Sequence, residues 1–117
     1  MENQHRKIAG YRELSQEEID LMNRIKAKGK ELLELQAEVV KTVGGSLLKT
    51  RALIALLEEQ AAAAPEPAIG SVSHNLGEAR EEQARFNKAE PHRWAAIGKT
   101  DIETGIMALV RAVAQPA

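Results

Sequence analysis

Ser15-Gln16-Glu17-Glu18-Ile19-Asp20-Leu21-Met22 opens the stretch that decides the fold. Ser15 and Glu18 stand three residues apart just ahead of an apolar run, the spacing of a capping box. There the serine hydroxyl accepts from the third backbone N–H and the glutamate reaches back to the cap. Leu14 occupies the place of a hydrophobic staple, with Ile19 as its partner. Downstream, Ile19, Met22, Lys26, Gly29, Leu33, Gln36, Val40 and Val43 recur at alternating steps of three and four, a heptad-like seam. The spacing predicts a helix from about Ser15 to Val43. Two members of the seam are costly. Lys26 places an ammonium among apolar positions, and Gly29 costs roughly 1 kcal/mol against Ala in a helix interior, which points to a kink or to close approach by another helix or a ligand.

Beyond this helix, Gly44-Gly45 is expected to interrupt the pattern before Leu47–Leu57 resumes as a helix with apolar residues nearly all round. That segment is expected to be well buried, with subunit interfaces as one place for it. Ala61-Ala62-Ala63-Ala64-Pro65-Glu66-Pro67 reads as a helix end, and the Gly- and Ser-containing stretch to about His74 as a mobile loop. Asn75 followed by Glu78 resembles another cap, opening a charged helix to Ala89. Pro91 sits at a favoured first-turn position, and Trp94, Ile102, Gly105, Ile106, Leu109 and Val113 share one broad face of a last helix that Pro116 closes. There is no strand-like alternation and no repeat at solenoid periods. The expected class is all-α: two long antiparallel helices with a short N-terminal element and an extended helical or linker connection.

Length and composition narrow the function. The 117 residues suit one domain, and 44% hydrophobic with 28% charged content argues against wholesale disorder. Sixteen Lys and Arg balance seventeen Asp and Glu, so no global basic field invites long nucleic acid. Cysteine is absent, which excludes disulfides and thiolate chemistry and fits a reducing compartment. The longest apolar run, Ala52–Leu57, is far too short for a bilayer, and the first residues lack a signal-peptide core. A cytoplasmic protein without membrane contact is expected. Tyr11, Phe86 and Trp94 are the only aromatics, so the core is aliphatic and thin, and self-association is the readiest way to cover the apolar stripes.

No catalytic constellation is visible. His5, His74 and His92 are isolated, so no metal site is expected; no phosphate loop, dinucleotide fingerprint or nucleophile elbow occurs, and no cofactor is implied. Paired carboxylates such as Glu17 with Glu18, or Glu81 with Glu82, diverge on a helix and suit a solvated surface. Three polar features stand out. Lys26 either specifies register in the seam or holds a phosphate where the dielectric is reduced. Tyr11, just before the cap, either packs at the edge of the core or offers a flat ring to a nucleobase. On the last helix Arg93, Thr100, Thr104 and Arg111 project within about 40° of one another, with Lys99 flanking them. They form either a solvated stripe or a set of donors converging on an anion at a symmetry axis.

Two blocks together resemble a known family. They are Ile8-Ala9-Gly10-Tyr11-Arg12-Glu13-Leu14 running into Glu17–Gly29, and Arg93-Trp94-Ala95-Ala96-Ile97-Gly98-Lys99-Thr100 continuing through Gly105–Pro116. They are similar to the bacteriophage anti-CBASS nucleotide sponges and the related anti-Thoeris sponges, which share a helical hairpin domain. The resemblance covers roughly half the chain. It implies a non-enzymatic protein of the host bacterial cytoplasm that sequesters cyclic oligonucleotide second messengers, as a homo-oligomer, typically a hexamer. It also implies cyclic dinucleotide pockets between protomers and, in some members, cyclic trinucleotide sites near the axis; related sponges hold cyclic ADP-ribose isomers. Carried over by position, Tyr11 would stack on a base and Lys26 would contact phosphate. The stripe of Arg93, Lys99, Thr100, Thr104 and Arg111 is the candidate for the axial site. The chain reads as one domain over 1–117 with an insertion at about 44–90, longer than the family's short connection. A helical structural or adaptor protein is the rival reading. A phosphodiesterase would need clustered metal-binding carboxylates or histidines, which the sequence does not offer.

Overall fold

The computed structural model describes residues 12–116, apart from the side chains of residues 67 and 68. Three helices account for nearly all of them: α1 (Gln16–Ala63), α2 (Glu66–Ala89) and α3 (Pro91–Ala114). No strand occurs among the described residues, so the class is all-α as expected. The helices fall into two compact units. One combines the described chain up to Ala37 with the part from Ala96 onward; the other is Glu38–Ala95.

In the first unit the N-terminus of α1 is closed by the capping box in both directions. The Glu18 N–H donates to Ser15 Oγ at 3.2 Å, and the Ser15 N–H donates to Glu18 Oε1 at 3.0 Å. From there Met22, Ile25, Leu33 and Gln36 are half-buried and Gly29 is buried, a three- and four-residue rhythm. The seam thus passes through Ile25 where Lys26 was expected, and Lys26 is exposed beside it. The α3 partners are the half-buried Ile97, Ile102, Ile106, Val110 and Val113. Ile102, Ile106 and Val113 were expected there, but Leu109 and Gly105 are exposed and Val110 turns inward, so the face is rotated from the one projected. Gly29 meets the close approach its cost suggested: a Cβ built on it would lie 2.6 Å from Ile106 Cγ1.

The second unit has its own small core. Leu57 from the end of α1 is buried with Leu76 and Ala79 of α2, and Ile54 and Val72 pack against them. The residues expected to form a loop to His74 are therefore helical. Val72, Leu76 and Ala79 recur at steps of four and three, and their burial outweighs the weak propensity of Gly70, Ser71, Ser73 and Gly77. Asn75 lies inside α2 and caps nothing. Gly44-Gly45 does not break α1, which runs on at a cost of about 1 kcal/mol per glycine relative to Ala. The all-round apolar segment after them is only partly covered within the chain: Leu57 is buried, but Leu48 keeps 67% of its surface and Leu56 50%. Glu90 ends α2 in the left-handed conformation (φ 50°), its N–H donating to Phe86 O at 3.2 Å, and Pro91 then begins α3. No described helix is long and apolar enough to cross a membrane.

Candidate ligand groove and the clasp beside it

The first unit carries a groove of about 550 Å³. Lys26 lines it from α1; Thr104, Ile106, Met107, Ala108, Val110 and Arg111 line it from α3, with Pro116 just beyond that helix. Its volume is that of a small-molecule site. Two cations and a hydroxyl line it together with aliphatic surface, and no carboxylate does. The surface it presents is overwhelmingly apolar, so the groove suits an apolar body, with Lys26 and Arg111 as the charged side chains that an anionic substituent could meet.

The sequence assigns these polar side chains to two sites, Lys26 in one and Thr104 with Arg111 in the other. Folding brings these three to one groove. The rest of the stripe lies outside the groove. Arg93 belongs to the second unit, where Nη1 donates to Glu90 Oε2 at 3.0 Å and the guanidinium lies 5.5 Å from the centre of the Trp94 ring. Thr100 Oγ1 donates to the carbonyl of Ala96 at 3.3 Å, within its own helix. Lys99 is exposed and does not line the groove. Tyr11 lies outside the described residues. Among the described residues no group of three His, Asp or Glu side chains is placed to hold a metal ion.

Arg12 is the polar residue that sequence reasoning missed. Its Nε donates to Ala114 O at 3.0 Å and its Nη2 to Val113 O at 2.8 Å, so the guanidinium satisfies carbonyls that end α3. The same fork pairs with Glu18, with Nη1 donating to Oε1 at 3.4 Å and Nη2 donating to Oε2. A cation at one helix C-terminus and a carboxylate at another helix N-terminus each sit on the favourable side of the helix dipole. These contacts span about a hundred positions of sequence, so no local pattern announces them.

The clasp has a pH signature. The Arg12 hydrogen bond, helped by the Ser15 N–H, holds the Glu18 carboxyl at about 2, well below its ordinary value of 4.5. A depressed folded-state value means that the stabilisation is complete above about 4.5 and is lost as pH falls toward 2. Glu18→Gln should therefore be less stable than wild type in thermal melts at pH 7, with the difference closing by pH 2. Equal melting temperatures for the two proteins at pH 7 would show that the clasp contributes nothing. Glu82, lowered in the same way by Arg85, leaves a residual acid dependence in the variant.

The fold defines a class, the small all-α helical hairpin proteins. Residues 4–114 match the Acb2/Tad1 hairpin domain, and the chain belongs to that family. It is similar to Anti-CBASS protein 2 of Pseudomonas phage JBD67, with 53% identity over 116 residues that cover 99% of this chain and 97% of that protein.

Proposed function

We propose that the protein is a phage-encoded anti-CBASS sponge, which binds and sequesters cyclic oligonucleotide second messengers in the host cytoplasm without cleaving them. The observation that carries this reading is the 53% identity with Anti-CBASS protein 2 along nearly the whole of both chains. The groove supports it chemically, since Lys26 and Arg111 suit a phosphate and the aliphatic wall suits the rest of a nucleotide. In this reading Tyr11 stacks on a base, Lys26 contacts phosphate, and Thr104 and Arg111 serve the same groove. Arg93, Lys99 and Thr100 remain the candidates for a second, axial site that takes cyclic trinucleotides. The protein works as a homo-oligomer, proposed as a hexamer. Exposed Leu35, Leu48, Leu53 and Met107 support self-association, because one chain alone buries only Leu57, Leu76 and Ala79 among its described apolar residues.

A sponge acts by mass action, so it must bind tightly and lower free messenger below the range the effector senses. Isothermal titration with cyclic di-AMP, cyclic di-GMP, cyclic GMP–AMP, cyclic tri-AMP and a cyclic ADP-ribose isomer tests the reading directly. Binding of a cyclic di- or trinucleotide, with the nucleotide recovered unchanged after the protein is denatured, is expected. Binding of the cyclic ADP-ribose isomer alone would redirect the reading to anti-Thoeris signals. A panel without heat would favour the adaptor reading, and a cleaved product would make the protein an enzyme.

A further inference from the structure

We infer that the left-handed turn at Gln115 positions the end of the groove, and that Arg12 is the latch that holds this turn. For its effect on a ligand the inference rests on the sponge reading, which it deepens. α3 ends at Ala114, and Gln115 then takes a φ of 47°, a conformation that usually falls to glycine. Its N–H donates to Arg111 O at 2.8 Å, the single bond of a left-handed helix cap. Pro116 follows and lines the groove with Arg111 and Lys26. Had α3 run on, position 116 would project about 140° from Arg111, given about 3.6 residues per turn. The turn is therefore what brings Pro116 to the groove, where its ring offers an apolar surface with almost no rotamer freedom to lose.

Local preference opposes this turn twice. The Cβ of Gln115 disfavours positive φ, and a residue that precedes proline favours an extended backbone. Such a conformation persists where its surroundings fix it, and here Arg12 does so. The Ala114 carbonyl and the Gln115 N–H are the two polar ends of one peptide unit. Arg12 Nε donates to the first at 3.0 Å and Arg111 O accepts from the second, so the plane that leads into Gln115 is held at both ends. Nη2 adds the Val113 carbonyl at 2.8 Å. Glu18 aims the guanidinium, accepting from Nη1 and Nη2 while it also accepts from the Ser15 N–H. The capping box of α1 thus reaches the end of the groove through one side chain. Lysine, a point charge, cannot hold these acceptors in one rigid plane.

The test uses the full chain and two independent ways of releasing the turn, Arg12→Ala and Gln115→Val, with Gln115→Gly as the variant that favours it. Gln115 is exposed, so replacing it removes no core packing. A β-branched residue resists positive φ, whereas glycine accepts it. Hydrogen exchange resolved by residue in NMR reads the amide at 115, and calorimetry with cyclic GMP–AMP reads the groove. Helical circular dichroism and elution volume are checked for each variant. If about one molecule in ten keeps the turn, amide 115 of Arg12→Ala and Gln115→Val exchanges close to its unprotected rate, and affinity falls about ten-fold. Gln115→Gly keeps wild-type protection and affinity, and added to Arg12→Ala it restores about three-fold of the loss. Should Arg12→Ala fail to fold, Gln115→Val decides the matter, since it leaves Arg12 and Glu18 in place. Wild-type affinity in Gln115→Val overturns the inference, and so does a protected amide 115 in Arg12→Ala, which would show that Arg12 does not hold the turn. A wild type that gives no heat with cyclic GMP–AMP removes that messenger from the sponge reading, while hydrogen exchange, which needs no ligand, still decides whether Arg12 is the latch.

Discussion

Lys26→Ala should weaken cyclic dinucleotide binding by about 10- to 100-fold, and Lys26→Glu should remove it from the measurable range. A hydrogen bond to a charged group contributes about 1.5–3 kcal/mol net, which sets the first figure. The charge reversal adds repulsion in a groove that otherwise presents only cations among its charged residues, Lys26 and Arg111. Because Lys26 is exposed and stands beside the seam, neither change removes core packing. Stability should stay within about 0.5 kcal/mol of wild type, so the loss is one of recognition. Arg111→Ala should give a smaller loss and Lys26→Arg the smallest, since Arg keeps the charge. Calorimetry of the four variants with cyclic GMP–AMP ranks them. Wild-type affinity in Lys26→Glu would remove the groove from consideration and shift attention to Arg93, Lys99 and Thr100.

What could be read without a structure follows the range of the interactions. The capping box at Ser15 and Glu18 is local, and its two reciprocal hydrogen bonds form as the spacing dictates. A special role for Gly29, a kink or a close approach, is also legible, because a glycine inside a strong helix needs a reason; the structure selects the close approach. The stretch before His74 reads as a loop because its glycines and serines are local, whereas Leu57, the partner that makes Val72, Leu76 and Ala79 a buried face, is distant in sequence. Gly44-Gly45 reads as a break on propensity alone, which is a weak prior inside a 48-residue helix. At the site, each cation was picked out individually, but the union of Lys26 with Thr104 and Arg111 depends on α1 meeting α3. Arg12 carried no sequence signal at all, as its main acceptors lie at the far end of the chain.

Gly29→Leu is expected to destabilise the first unit by about 3 kcal/mol or more, the upper range for overpacking an interior. Ile106 already occupies the space a side chain would need: its Cγ1 would be 2.6 Å from a new Cβ, and its Cδ1 closer still. Ile106 is β-branched and helical, so χ1 has essentially one comfortable setting and the side chain cannot swing clear. For Gly29→Ala the helix gains about 1 kcal/mol of propensity against an overpacking cost of about 1–3 kcal/mol, so the net change is neutral to destabilising. The decisive comparison adds Ile106→Ala. Alone it leaves a cavity; combined with Gly29→Ala the new methyl enters that space, and a double-mutant cycle in urea should show coupling of about 0.5–3 kcal/mol. Simple additivity would mean that the contact is not present in solution. The same contact reaches the ligand, because Ile106 also lines the groove that Lys26 enters. A methyl at position 29 displaces Ile106 and alters the groove's apolar wall, so Gly29→Ala should lose affinity for a cyclic dinucleotide even where its stability is nearly unchanged. Glycine at this position therefore serves the helix contact and the shape of the groove through a single side chain.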